Sequence, residues 1–121
     1  MIKNLFFNTL QLDWEELGGG VSRQIMGYDD KIMLVKVKFD KDAIGKPHQH
    51  FHSQTSYVAA GTFEVTIGEK KQLLLEGDSF YIPPNEVHGV HCVKAGILID
   101  VFSPVRQDFL DGDVVSYFGN K

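Results

Sequence analysis

Three of the five histidines stand close together, in Pro47-His48-Gln49-His50-Phe51-His52-Ser53-Gln54. A second pair, His88 and His91, follows the turn residues Pro83-Pro84-Asn85. Neutral imidazole is the commonest side-chain metal ligand. Residues at i and i+2 of a strand share a face, so His48 and His50 can converge on one ion while further ligands arrive from elsewhere in the fold. Spacing then constrains Gln54. On one straight strand it would lie about 20 Å from His48, at roughly 3.3 Å per residue, whereas metal–nitrogen bonds are about 2.0–2.1 Å. A ligand role for Gln54 therefore requires the chain to turn after His50. Phe51-His52-Ser53 becomes the corner, with His52 at the rim. His91, three residues from His88 on a continuous strand, faces the other way and reads as exposed. Cys92 shares the parity of His88 and reads as a small buried hydrophobe.

A second place for chemistry is Asp100. Residues 97–102 have strong β character, with Ile97, Ile99 and Val101 on one face and Leu98, Asp100 and Phe102 on the other. An acid among apolar neighbours needs a partner, because burying an unpaired charge is costly. It is either half of a structural ion pair, with Arg23 or Arg106, or a carboxyl whose pKa is raised towards the range useful for proton transfer.

These residues must be carried by strands. Residues 32–39 alternate, with Met33, Val35, Val37 and Phe39 inward and Lys36 and Lys38 outward. Residues 21–26 read as a strand bearing Arg23, after a helical turn near 13–17 and the break Gly18-Gly19-Gly20. Residues 40–46 read as a loop. Gly61 reads as a hairpin break, Gly68-Glu69-Lys70-Lys71 and Gly77-Asp78 as turns, and Lys94-Ala95-Gly96 as another. Pro83-Pro84 cannot lie mid-sheet, since proline lacks the N–H. Residues 108–113 read as a loop and 114–118 as a last strand. Many short strands and almost no helix indicate an all-β sandwich or barrel able to enclose one ligand site.

The chain has 121 residues, 43% of them hydrophobic and 23% charged, which suits one domain, 1–121, with one core. The net charge of −4 and the lack of a Lys/Arg cluster argue against a nucleic-acid partner. A lone cysteine rules out an intrachain disulfide and fits a reducing compartment. No apolar run reaches about 18 residues and no leader-like segment opens the chain, so we expect a cytoplasmic protein without a membrane partner.

The arrangement of these residues resembles the cupin superfamily. Gly45-Lys46-Pro47-His48-Gln49-His50, with Gln54 and Gly61, is similar to the first cupin motif, at about 45–61. Gly77-Asp78-Ser79-Phe80-Tyr81-Ile82-Pro83-Pro84-Asn85-Glu86-Val87-His88 is similar to the second, at about 77–92. The resemblance implies a double-stranded β-helix, or jelly-roll barrel, and a divalent ion (Zn, Ni, Mn or Fe) on His48, His50, Gln54 and His88. Two departures stand out: Gln54 replaces the usual glutamate, and the usual asparagine falls at Cys92. A neutral Gln leaves the ion a stronger Lewis acid, held less tightly.

Gly18-Gly19-Gly20-Val21-Ser22-Arg23, Met33-Leu34-Val35-Lys36-Val37, Gln54 with Tyr57-Val58, and Asp100 through Leu110 further resemble the KdgF-type pectin-degradation cupins. That resemblance implies opening of 4,5-unsaturated uronate monosaccharides to linear 5-keto-4-deoxyuronate, with Asp100 as the proton carrier. Arg106 or Arg23 would fork the substrate carboxylate. Phe102 would shape the sugar face, and Tyr57 or Gln24 would contact hydroxyls. Rival readings on the same scaffold are a dioxygenase, a sugar or keto-acid isomerase, and a non-catalytic small-molecule-binding cupin. Cupins are commonly homodimers, and Phe6, Phe7 and Leu10 would suit an interface.

Overall fold

β-branched and aromatic side chains at alternate positions fit a pleated surface with one buried face. In the computed structural model, which describes residues 4–111, such segments form Glu15–Gly18 (β1), Val21–Tyr28 (β2), Met33–Phe39 (β3), Ile44–His48 (β4), Ser53–Ile67 (β5), Lys70–Leu74 (β6), Ser79–Ile82 (β7) and His88–Ser103 (β8). A 3-10 turn, Thr9–Gln11, precedes them and a short helix, Gln107–Leu110 (α1), follows. The strand expected over 114–118 lies outside the described residues.

The strands run in the order β1-β2-β3-β8-β5-β6, with β4 added to β8 and β7 to β5. β8 pairs with β4 near its start and with β3 near its end. β5 pairs with β7 near its start and with β6 near its end. The two long strands, paired along their length, thus serve both layers of a jelly roll. Met33, Val35, Val37 and Phe39 are buried as their alternation predicts, and they meet Val58, Phe63, Val65 and Leu98. Phe39 and Phe63 pack edge to face, with centroids 5.3 Å apart.

Several local expectations are corrected. Gly61 is no hairpin break, and Lys94-Ala95-Gly96 is no turn; both lie inside continuous strands. The β5–β8 register shifts between Val58 and Phe63, and bulges of this kind bend a strand without ending it. Gly61 sits at φ +83°, where a Cβ would come within 2.5 Å of the Lys94 carbonyl oxygen. Only glycine lets the strands cross so closely. Near the N-terminus the helical turn falls at Thr9–Gln11, not 13–17. Glu15–Gly18 is a strand, joined to β2 through Gly19 (φ 62°) and Gly20 (φ 83°). Two successive positive φ values suit a tight hairpin between twisted strands. β4 begins at Ile44, so residues 44–46 are strand where a loop was expected, because they complete the edge beside β8. Gln107–Leu110 is one helical turn, so residues 108–110 are helix where a loop was expected over 108–113, of which 112 and 113 lie outside the described residues.

Candidate active site

His48 ends β4 directly opposite His88, which begins β8. His50 lies two residues past β4, outside any strand, so it does not reach His48 by strand parity. Its carbonyl accepts the Asn85 N–H at 2.7 Å, which ties the histidine loop to the Pro83-Pro84 turn. The chain then bends, and Gln54 returns near the start of β5. Ring centroids of His48 and His50 lie 4.4 and 4.8 Å from that of His88. Ligand atoms of the three histidines all fall within 4.8 Å of one another.

Each ring is oriented by a backbone carbonyl. Nδ1 of His48 meets Lys46 O at 2.8 Å, Nδ1 of His88 meets Glu86 O at 2.9 Å, and Nδ1 of His50 meets His52 O at 3.2 Å. A carbonyl only accepts, so each Nδ1 donates and each Nε2 keeps its lone pair. This is the arrangement that holds metal-ligating histidines in register. His50 Nε2 then faces Gln54 Oε1 at 3.0 Å, lone pair against lone pair. Two metal bonds of about 2.1 Å meeting near a right angle separate their donor atoms by about 3.0 Å. Burial pushes His50 down to about 4 and His88 to about 3, and lowers His48 as well. All three are neutral at pH 7. This donor set, three imidazole nitrogens and an amide oxygen, fits a divalent ion.

Asp100 lies across from Ser56 in the β5–β8 register. Ser56 donates to Asp100 Oδ1 at 2.6 Å and accepts from Gln54 Nε2 at 2.9 Å. Burial raises the Asp100 carboxyl to about 6, against the opposing pull of the Ser56 hydrogen bond and of Arg106. Among the described residues no direct ion pair joins Asp100 to Arg23, which pairs with Glu15, or to Arg106, which pairs with Asp108. His48, Gln54, His88, Asp100, Phe102 and Arg106 line one interior cavity, walled also by Phe39, Leu98 and Phe109. An outer pocket of about 300 Å³ shares His48 and Arg106 with it and is lined by His50, His52 and Asp108 as well.

Arg106 is buried, not solvated. Its Nε and Nη2 grip Asp108 at 3.0 and 2.8 Å, so the fork expected for a substrate is already engaged. Its guanidinium lies over the rings of Phe102 and Phe109, at 5.0 and 4.1 Å. Arg23 lies deeper. It pairs with Glu15 at 2.7 Å, sits 4.3 Å from the Phe109 ring centroid and does not line the cavity. Tyr57 is displaced from its expected role, because its parity is opposite to that of Gln54 and Ser56 and it stands on the outer face of β5. Gln24 is likewise taken: its amide holds the carbonyls of Thr9 and Leu12 at 2.8 and 3.1 Å. His52 is buried rather than at a rim. Its ring stacks on Phe51 at 4.0 Å, and Nε2 donates to Val105 O at 3.2 Å. His91 stands clear of the cluster beside Asp42, and Cys92 is buried.

Two residues of the site escaped the sequence reading. Ser56 had a signal, since it shares the inward parity of Gln54 and is a polar residue on a buried face. Phe109 had none beyond its apolar character, because it reaches the cavity only through the fold of α1.

The chain matches the Cupin domain model over residues 35–102. It is 49% identical over 107 residues to the pectin degradation protein KdgF of Dickeya dadantii, a match spanning 87% of this chain and 97% of that protein. Among solved structures it is similar to an RmlC-like cupin from Shewanella frigidimarina, with 46% identity and a TM-score of 0.86 over 88% of this chain and 96% of that one. It is also similar to KdgF from a Halomonas species, with 38% identity and a TM-score of 0.85 over 88% and 99% of the two chains.

Proposed function

Because the chain belongs to the cupin domain family, we propose that it opens 4,5-unsaturated uronate monosaccharides to linear 5-keto-4-deoxyuronate in pectin or alginate degradation. The observation that carries the reading is Asp100, a buried carboxyl raised to about 6, in one cavity with His48, Gln54 and His88. The likeness to pectin degradation proteins of nearly the same length supports it.

The substrate is a cyclic hemiacetal whose ring oxygen is also an enol-ether oxygen. Opening removes the proton of the anomeric hydroxyl, breaks the bond from C1 to the ring oxygen, and leaves an aldehyde at C1 and an enolate at C5. A proton then adds to C4, and the C5 ketone forms. One proton leaves oxygen and one arrives on carbon, so the balance closes without a redox partner. Asp100 takes the first and delivers the second, and a group titrating near 6 is populated in both forms at working pH. His48, His50, Gln54 and His88 would hold a divalent ion, Zn, Ni, Mn or Fe, which when bound supplies positive charge to the substrate carboxylate and the developing enolate oxygen. Arg106, anchored by Asp108, presents its remaining N–H groups to that carboxylate. Phe102 walls the sugar face. We assign Arg23 to the support of Phe109, since it lies outside the cavity.

We further propose that residues 1–121 form one domain, and that the protein works in the cytoplasm as a homodimer joined through exposed Phe6 and Leu10, whereas Phe7, also expected at the interface, is half-buried near Gly27. The deciding experiment follows the ultraviolet absorbance of the conjugated double bond in 4,5-unsaturated galacturonate. Metal-loaded protein should accelerate its loss over the spontaneous reaction, and chelation should abolish the acceleration. Absence of acceleration with metal demonstrably bound would sink the substrate assignment.

A further inference from the structure

We infer that Ser56 is a positioning residue that couples the metal-binding amide of Gln54 to Asp100. The catalytic part of this inference rests on the function proposed above. Register creates the link: Ser56 and Asp100 are cross-strand partners on β5 and β8, and Gln54 is two residues away on the same face. All three side chains are buried. A serine hydroxyl has one hydrogen to give. Gln54 Oε1 points to His50 Nε2, the ligand side, so the amide has only its NH2 to offer Ser56. Ser56 must therefore accept from Gln54 and spend its single hydrogen on Asp100 Oδ1. Oδ1 is fixed as an acceptor, and any proton on Asp100 resides on Oδ2. The direction of every hydrogen bond in the chain follows from which Gln54 atom faces the ion.

The same logic gives a reason for glutamine at position 54. A glutamate there has no hydrogen to donate and would compete with Asp100 for the one hydrogen of Ser56. Two carboxylates would then flank one hydroxyl, and the anchor on Oδ1 would be lost.

The test uses Ser56→Ala, Ser56→Cys, Gln54→Glu and the double variant S56A/Q54E, each confirmed folded by thermal unfolding. Zinc affinity is read by competition with a chelator, and kcat and KM are read on 4,5-unsaturated galacturonate. Loss of a group that orients a metal ligand costs about 10–100-fold in affinity. Ser56→Ala should fall in that range and lower kcat with little change in KM. Ser56→Cys keeps the volume with a weaker donor and should lie between. Gln54→Glu should lower kcat far less in the Ser56→Ala background than in the wild type, since the hydrogen under contest is gone. Wild-type zinc affinity and kcat in both Ser56 variants would overturn the inference, and so would an equal Gln54→Glu penalty in both backgrounds. If wild-type protein fails to consume the uronate, the proposed function falls, while the zinc competition still decides whether Ser56 orients Gln54.

Discussion

Asp100 is the residue on which chemistry and environment meet. Replacing it with asparagine keeps the shape and an oxygen for Ser56 but removes the proton carrier. Asp100→Asn should lower kcat by about 10²–10⁴-fold, the usual weight of a general acid–base group, while zinc affinity stays at the wild-type value; stopped assays and chelator competition check the two halves. The histidines give a separate pH signature. In the metal-free protein His50 titrates near 4 and His88 near 3, against 6.5 for an ordinary histidine. The unfolded chain then binds more protons below pH 6.5, so stability is lost as pH falls from 6.5 towards 4. Asp100 has the opposite sign. Its carboxyl is raised from 3.8 to about 6, so it adds stability as pH falls through 6. The two histidine displacements outweigh the single carboxylate one. Melting of chelated protein should therefore shift to lower temperature between pH 7 and pH 4.5, and a flat or rising profile would contradict this assignment.

At the scale of elements, β5 and β8 carry the site because each runs unbroken past the point where the layers diverge. Gln54 and Ser56 lie at one end of β5, His88 begins β8, and Asp100 and Phe102 lie towards its end. Gly61 holds this crossing. A side chain there meets both the Lys94 and Ala95 carbonyl oxygens, at 2.5 and 2.6 Å, in a backbone conformation that suits glycine. Gly61→Ala should destabilise the fold by about 2 kcal/mol or more, measured by denaturant unfolding, and a neutral outcome would mean the strands can part without cost. The outer strands contribute differently. β1 and β2 bring Glu15 and Arg23 behind Phe109, and α1 brings Phe109 and Asp108 to Arg106. Through these contacts α1 closes one side of the cavity.

For the whole molecule, the candidate ligands come from β4, the loop after it, β5 and β8, so an ion bound there would join segments far apart in sequence. A ligand that binds only the folded state stabilises it by about 2.7 kcal/mol at a hundredfold excess over its dissociation constant. Chelation should accordingly lower the melting temperature by several degrees, and zinc should restore it. Light scattering after size exclusion tests the proposed homodimer. Phe6→Ser with Leu10→Ser should shift it towards monomer, since these exposed side chains contribute little to the core of one chain.

Much of this protein is legible before folding. Alternation in residues 33–39 and 97–102 announces which faces are buried, because strand period depends on local backbone geometry alone. His48, His50 and His88 declare metal chemistry by residue type and by the turns around them, and the necessary bend before Gln54 follows from reach. What the sequence could not decide depends on register and on continuity past a bulge. Gly61 and Gly96 look like chain breaks, yet they are the glycines that let two long strands cross, and nothing local separates those cases. Tyr57 and Gln24 looked equally available for a sugar until strand parity and the Thr9–Gln11 turn placed them elsewhere. The link from Gln54 through Ser56 to Asp100 has its long step between Ser56 and Asp100, 44 positions apart. Only the tertiary pairing of β5 with β8 brings a serine hydroxyl to hydrogen-bonding distance of both.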